Sequence, residues 1–110
     1  MVNSVILVDR LAADPELKYT QSGIAMTQLT IAVRRNGKSE SGEQEADFIP
    51  VIAWRQPAEF AAEYLSKGRL VSIEGSIRSN RWKDESGQAH SSMEIVADKL
   101  QALDKPKTAE

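Results

Sequence analysis

The chain has 110 residues, no cysteine and a single histidine, and its formal net charge at pH 7 is −2. This length fits one domain with a modest core, and the lack of Cys excludes disulfides, thiolate metal sites and Cys nucleophiles. The slight negative charge argues against nucleic-acid binding through bulk positive charge, but it is compatible with a local basic groove. We expect a cytoplasmic protein without a membrane partner, because the sequence has no span-length apolar run and no recognisable signal peptide.

The first half of the chain predicts two strands separated by a loop. Residues 2–11 are apolar and rich in β-branched side chains, which is typical of a strand. A proline and a glycine punctuate the next segment, so we predict a loop there, with at most a short extended stretch at residues 17–19. Apolar residues alternate through residues 24–35, which predicts the second strand, and the polar tract 36–45 predicts a long hairpin tip.

A third strand and a helix follow. Residues 46–54 have a strand pattern, within which Pro50 favours an edge, a bulge or a strand end. Pro57 suits the first turn of a helix and Gly68 suits the C′ position at its end. The alanines and leucine between them form an apolar stripe that would pack against the sheet.

Two further strands complete the domain. Residues 69–83 predict the fourth strand, in which Gly75 marks a bend or bulge, and residues 89–103 predict the fifth. The order of three strands, one helix and two strands is typical of an all-β domain over residues 1–103, namely a five-stranded OB-fold barrel with one α-helix between strands 3 and 4. The polar residues 104–110 predict a short disordered tail.

Both tryptophans stand beside positive charge, in a chain with only 5% aromatic residues. Trp54 is followed by Arg55, and Trp82 lies between Arg81 and Lys83. Aromatic rings that stack on bases, together with cations that meet phosphates, are what a surface for unpaired nucleic-acid bases needs. Two alternatives stay open: the basic clusters are solvated faces, or the strand aromatics before the helix belong to the core.

Catalysis, metal binding and cofactor binding find no support in the sequence. Carboxylates lie close together at residues 14–16 and 84–86, but in predicted turns, where Asp commonly bonds its own backbone. His90 has no second His or Cys to form a catalytic or metal-binding pair, and no Gly-rich loop precedes a helix in Walker form. We therefore predict that the protein is not an enzyme and has no catalytic residue, metal ligand or cofactor.

The sequence resembles the bacterial single-stranded DNA-binding protein family over residues 3–103. The motifs that carry the resemblance are NSVILVDRL, DPELKYTQSG, LTIAV, ADFIPVIAWRQPAEFAAEYLSKG and LVSIEGSIRSNRWKDESGQ. The resemblance implies an OB-fold, a homotetramer built from dimers, and sequence-tolerant binding of single-stranded DNA. It also implies a role at the nucleoid in replication, recombination and repair.

The resemblance assigns site residues as well. Three positions match family aromatics that stack on bases: Phe48, Trp54 and Trp82. Three match basic positions along the DNA path: Lys67, Arg78 and Arg81. Three further arginines are assigned to the same path by their charge: Arg34, Arg35 and Arg55.

The chain departs from the family pattern at three places. Gly37 stands where many members have an aromatic residue, which removes one stacking platform, and Asp9 stands where the family often has Gly. After residue 103 there is no long linker and no acidic, Phe-terminated tip. Recruitment of repair and replication enzymes through such a tip is therefore not supported by this C-terminus.

A second function stays open, that of a dimeric OB-fold adaptor resembling primosomal replication protein N, which acts mainly through protein contacts. The short C-terminus favours the adaptor. The two tryptophans and the intact ADFIPVIAW block favour single-stranded DNA binding.

Overall fold

The computed structural model describes residues 1–37 and 40–105, which form six strands and one helix. The elements in chain order are β1 (Val5–Leu11), β2 (Glu16–Tyr19), β3 (Ala25–Arg34), β4 (Ala46–Trp54), α1 (Gln56–Tyr64), β5 (Leu70–Lys83) and β6 (Ala89–Ala102). Each predicted strand and the predicted helix are present. In the described part of the chain, no helix is long and apolar enough to cross a membrane.

Five of the strands close into a barrel. β1 pairs antiparallel with β5 and also with the end of β3, and the sheet continues from β5 through β6 and β4 back to β3. All the pairings are antiparallel except that of β4 with β6, which is parallel. The ring β1–β5–β6–β4–β3 confirms the predicted five-stranded OB-fold barrel, with its helix between the third and fourth of the predicted strands.

The sixth strand, β2, corrects the predicted loop before β3. Its four residues pair antiparallel with the first half of β3, with Glu16 opposite Gln28 and Tyr19 opposite Ala25. Leu17 is its one apolar side chain packed against the core. A strand of four residues is too short to show a clear alternation of apolar and polar side chains. The sequence pattern therefore predicted only a short extended stretch here.

Alternation along the strands fills the barrel. In β3 and β4, every second side chain is buried, and the largest fully buried residues include Leu29, Ile31, Val51 and Ile73. Burying a side chain of this size stabilises the fold by roughly 1.5–3 kcal/mol relative to leaving it in water. Because side chains alternate across a strand, the positions between these residues must face outward.

The helix α1 covers one side of the barrel with its small-residue stripe. Ala58, Ala61 and Leu65 are buried, and the Thr27 hydroxyl on β3 donates to the Ala58 carbonyl at 3.2 Å. The predicted C-terminus was wrong, because the helix ends at Tyr64 and Leu65 is already extended, with its side chain buried in the core. Gly68 is a turn residue instead, with φ 91°, and its N–H donates to the Leu11 carbonyl.

A bulge at Gly75 divides β5 and β6 into two regions. The register shifts here, since Glu74 lies opposite Lys99 but Gly75 lies opposite Ala97, which leaves Asp98 as the extra residue. A Cβ at Gly75 would overlap the carbonyl of Val96, so the close approach requires glycine. Beyond the bulge and the last pairing of β6 with β4, at Ile95, the two strands leave the barrel as a ribbon, residues 78–83 and 89–94, called the β5–β6 arm below.

Polar side chains fix both ends of the described chain. Asn3 makes two hydrogen bonds with the backbone of Ile77, at 2.8 and 2.9 Å. Asp104 accepts from Arg69 Nε at 2.8 Å and from the Leu70 N–H at 3.2 Å, so the first residue of the predicted tail is held against the barrel. The rest of that tail from residue 106 lies outside the described residues, and the boundary at residue 103 stays a prediction.

We predict that Gly75→Ala lowers the free energy of unfolding by about 1–3 kcal/mol, because the added methyl group meets backbone rather than a movable side chain. Urea unfolding at a fixed protomer concentration measures this loss. The matched control is Ser76→Ala, a change to the same residue at the next position, where unfolding should be nearly unchanged. Equal urea midpoints of unfolding for the wild type and Gly75→Ala would contradict the close approach of Gly75 to the Val96 backbone.

Candidate nucleic-acid interface

The outer face of β4 carries two exposed aromatic rings. Phe48, Pro50, Ile52 and Trp54 alternate with the buried residues of this strand and therefore face away from the core. Phe48 is 66% exposed and Trp54 is 36% exposed. This excludes the alternative that these two aromatics belong to the core.

Trp54 lines a cleft with two cations. The cleft has a volume of about 570 Å³, and its walls include Trp54, Arg55, Arg78 and Val96. Neither arginine forms an ion pair with any other residue in the described ranges 1–37 and 40–105, so both guanidinium groups can accept an anionic partner. The cleft thus combines a flat apolar ring with two guanidinium groups outside ion pairs, and with one carboxylate, that of Asp98.

Arg55, which lines this cleft, has an unusual backbone conformation. Its φ is 61° and its ψ is −125°, and no other non-glycine residue in the described ranges has a positive φ. The backbone is held on both sides, because the Arg55 N–H donates to the Ala25 carbonyl and its carbonyl accepts from the Glu59 N–H. Such strain persists only where neighbouring structure enforces it, and it occurs often at functional sites.

The β5–β6 arm adds a third aromatic residue on the same side. Ile52 pairs with Val96, and Val96 pairs with Ser76, so one row of outward positions runs from β4 across β6 to β5. Alternation along β5 then puts Arg78 and Trp82 on the same face as Ser76. Trp82 is 51% exposed. The resulting surface is called the aromatic face; its members are Phe48, Trp54, Arg55, Arg78 and Trp82.

Trp82 is held by a stack and a hydrogen-bonded turn. Its ring lies against that of His90, with centroids 5.5 Å apart and planes 20° from parallel. His90 Nε2 donates to Asp84 Oδ2 at 2.9 Å, while Asp84 Oδ1 accepts from the N–H groups of Ser86 and Gln88. The hydrogen bond from His90, followed by those from Ser86 and Gln88, lowers the pKa of Asp84 to about 2. The Asp84 carboxylate is therefore ionised at neutral pH.

The two arginines at the end of β3 are already paired with carboxylates. Arg34 Nε lies 3.3 Å from Asp9 Oδ2, and Arg35 lies 2.8 Å from Asp47 Oδ1, with Glu45 also close. Burial raises the pKa of Asp9, but the hydrogen bonds from Arg34 and the charge of its guanidinium outweigh burial, so the pKa is lowered overall. The hydrogen bond from Arg35 likewise lowers the pKa of Asp47. Anions compete with these carboxylates for both arginines.

Two predicted path residues lie off the aromatic face. Arg81 alternates with Trp82 and so points to the opposite face of the arm. Lys67 lies after the helix and lines a separate cleft together with Arg10 and Arg69. The structure therefore brings together five of the nine predicted site residues, leaves Arg34 and Arg35 in ion pairs, and puts Arg81 and Lys67 elsewhere.

Comparison with known proteins identifies the family. Residues 2–103 match the single-strand binding protein family. The chain belongs to this family. It is 47% identical over 108 residues to a "Single-stranded DNA-binding protein" of Caldanaerobacter subterraneus subsp. tengcongensis, which covers 98% of this chain and 71% of that protein. It is 44% identical to "Single-stranded DNA-binding protein 2" of Streptococcus pyogenes serotype M18, over 100% of this chain and 68% of that protein.

A third relative agrees with this assignment. The "Single-stranded DNA-binding protein 2" of Listeria innocua serovar 6a is 42% identical over 100% of this chain and 69% of that protein. The family resemblance inferred from the sequence motifs is therefore confirmed.

Two residues that contact predicted site residues were not identified from the sequence of this single-strand binding family member. From the sequence, His90 was considered only as a catalytic or metal-binding residue and was given no role, yet it stacks on Trp82. The signal was available, because a turn at residues 84–88 places His90 directly opposite Trp82 in the hairpin. Asp9 was noted only as standing where the family often has Gly, but it lies in regular β1 and anchors Arg34.

Proposed function

We propose that this protein binds single-stranded DNA with little sequence preference and protects exposed strands during replication, recombination and repair. We place this activity in the cytoplasm, at the nucleoid. The observation that carries the proposal is the aromatic face, which has three exposed rings, one of which, Trp54, lines a cleft with two arginines that have no ion-pair partner among the described residues. The names of the relatives, all single-stranded DNA-binding proteins, support the same ligand.

Stacking supplies the sequence tolerance in this mechanism. Every base has a flat π-face, so rings such as Phe48, Trp54 and Trp82 stack on any of them, at roughly 1–3 kcal/mol per base. A duplex hides these faces inside its own stack, so the aromatic face prefers unpaired strands. Three stacks cannot simply be summed, because ordering the strand costs part of the gain.

The arginines supply attraction to phosphates. Arg55 and Arg78 line the same cleft as Trp54, so a strand whose base stacks there brings its backbone within reach of both. Each phosphate that is neutralised releases condensed counterions, which makes binding weaken as salt rises. Net charge hinders this little, because exposed charges more than about 10 Å away are largely screened at 0.1 M salt.

The other predicted cations extend the path with smaller contributions. Arg34 and Arg35 can contact phosphate only in competition with Asp9 and Asp47, so much of the Coulomb gain is offset. Arg81 and Lys67 would be reached by a strand that passes around the arm or beyond the helix. We propose them as outer contacts of a longer bound strand.

The adaptor alternative is not favoured. The relatives compared are named for single-stranded DNA binding, and none of them is named as a primosomal protein. An adaptor that works through protein contacts also has no need for three aromatic rings on one exposed face.

We propose a homotetramer built from dimers, in which β1 pairs with its twin. β1 pairs with β5 from Val5 to Arg10 but with β3 only at Arg10 and Leu11, so its earlier residues present an open strand edge among the described elements. Ile6 and Val8 are exposed on the outer side of this strand. An unpaired edge with apolar neighbours is a template for antiparallel pairing across a two-fold axis.

Native mass spectrometry tests the assembly, and we expect the mass of four protomers. Ile6→Lys should shift the protein towards smaller species, because it buries a charge in the proposed β1 contact. Tyr19→Lys is the matched control, since it places the same charge at an exposed position on β2 and should leave the mass unchanged. A monomer at micromolar concentration would refute the assembly, and a dimer would retain the β1 contact but refute the tetramer.

Titration with an oligo-dT strand tests the function. We expect strong quenching of tryptophan fluorescence by the single strand and little response to a duplex of equal length. Trp54→Ala and Trp82→Ala should each weaken binding of a labelled strand by roughly 5- to 150-fold, the equivalent of one lost stack. Tyr64→Ala, an exposed aromatic at the far end of the helix, should have no effect. Absence of binding by the wild type at low salt would overturn the proposal.

The salt dependence of binding distinguishes free from paired arginines. Arg78→Gln should reduce the slope of log affinity against log salt concentration by about 0.7, the value for one phosphate contact on a single strand. Arg35→Gln should change the slope less, because Asp47 already holds that guanidinium in the free protein. Equal losses of slope in the two variants would show that the ion pair opens on binding and would contradict the distinction.

A further inference from the structure

The β5–β6 arm leaves Trp82 with little support. The arm is a two-stranded ribbon beyond the barrel, and its residues from Arg78 to Lys83 are all exposed. In the described ranges, the only ring that packs against the indole of Trp82 is His90. An exposed side chain without packing exchanges among several rotamers, and fixing it on binding costs entropy.

His90 is positioned to provide the missing support. It lies directly opposite Trp82 in the antiparallel ladder, where side chains on one face are close enough to touch. The 5.5 Å centroid separation and the 20° angle lie within the range of favourable stacked aromatic pairs. One face of the indole is thereby covered, and the other stays open.

His90 is itself held by the turn of the arm. Asp84 receives its Nε2–H on one carboxylate oxygen. The other oxygen accepts from the Ser86 N–H at 3.0 Å, the Ser86 hydroxyl at 2.7 Å and the Gln88 N–H at 2.9 Å. The carboxylate is therefore fixed by the backbone of the turn, and it fixes the plane of the imidazole through a directed hydrogen bond.

We propose that His90 is a positioning residue for base stacking: held by Asp84, it orients the indole of Trp82 so that a single open face is presented to one DNA base. This inference rests on the proposed function for the identity of the ligand. The orientation of the ring is a property of the free protein and can be measured without DNA. Preorganisation of this kind raises affinity by removing an ordering cost from the binding step.

The first experiment measures the ring in the absence of DNA. In a Trp54→Phe background, Trp82 is the one remaining tryptophan, so nanosecond anisotropy decay reports its local motion. His90→Ala should increase the amplitude of fast motion, and His90→Phe should reverse only part of that increase, because Phe keeps a stacking ring but cannot donate to Asp84. Ser92→Ala, on the same strand and face but opposite Asn80, is the matched control and should change nothing.

The second experiment measures affinity for an oligo-dT strand in the same variants. His90→Ala should weaken binding about 3- to 10-fold, the equivalent of one side chain ordered on binding, and His90→Phe should recover part of that loss. Unchanged anisotropy in His90→Ala overturns the proposal, whatever the affinity, and so does a failure of His90→Phe to recover any part of either readout. If the parent protein binds no strand at all, the proposed function fails, while the anisotropy still decides whether His90 positions the ring.

Discussion

Pairing of β1 with both β5 and β3 closes the barrel, and this closure decides which side chains reach solvent everywhere else. In a closed ring, one side of every strand faces a common interior, which is filled by buried side chains that include Leu29, Ile31 and Val51. The alternate positions have no interior left to enter. Phe48 and Trp54 are therefore exposed because the sequence places them in the outward register of β4, despite the tendency of large aromatics to be buried. The candidate interface is therefore formed by the outward side chains of strands whose inward side chains form the core.

Pairing with carboxylates divides the cations of this acidic chain into two groups. Arg34 and Arg35 lie within 3.3 Å of an Asp oxygen, whereas Arg55 and Arg78 have no such partner in the described ranges. A negative total charge is thus compatible with a cationic cleft, because Arg55 and Arg78 together outnumber Asp98, the one carboxylate among the residues that line it. The local arrangement of charges, and not their sum, determines where a phosphate backbone is attracted.

The barrel could be predicted well from the sequence because apolar residues alternate regularly along its strands. The bounds of β4 were predicted to the residue, since alternation is regular there and the helix begins soon afterwards, at Gln56, with Pro57 in its first turn. The end of the helix was predicted wrongly because Leu65 continues the apolar stripe of the helix. Its backbone is already extended, and the apolar pattern does not show this change of conformation. The facing of Arg81 and the stack of His90 on Trp82 depend on the register of the arm. The turn at residues 84–88 sets this register, so the pairing shows only when both strands are counted outward from the turn, and alternation within one strand does not reveal it.

At Arg55, the stability of the fold and the positive charge of the cleft favour different residues. A residue held at positive φ without being glycine costs of order 1–3 kcal/mol, and glycine would occupy the same bend without that cost. Glycine would also remove the guanidinium from the cleft beside Trp54. The arginine at this bend therefore places a positive charge beside Trp54 at the expense of free energy of unfolding that a glycine would have kept.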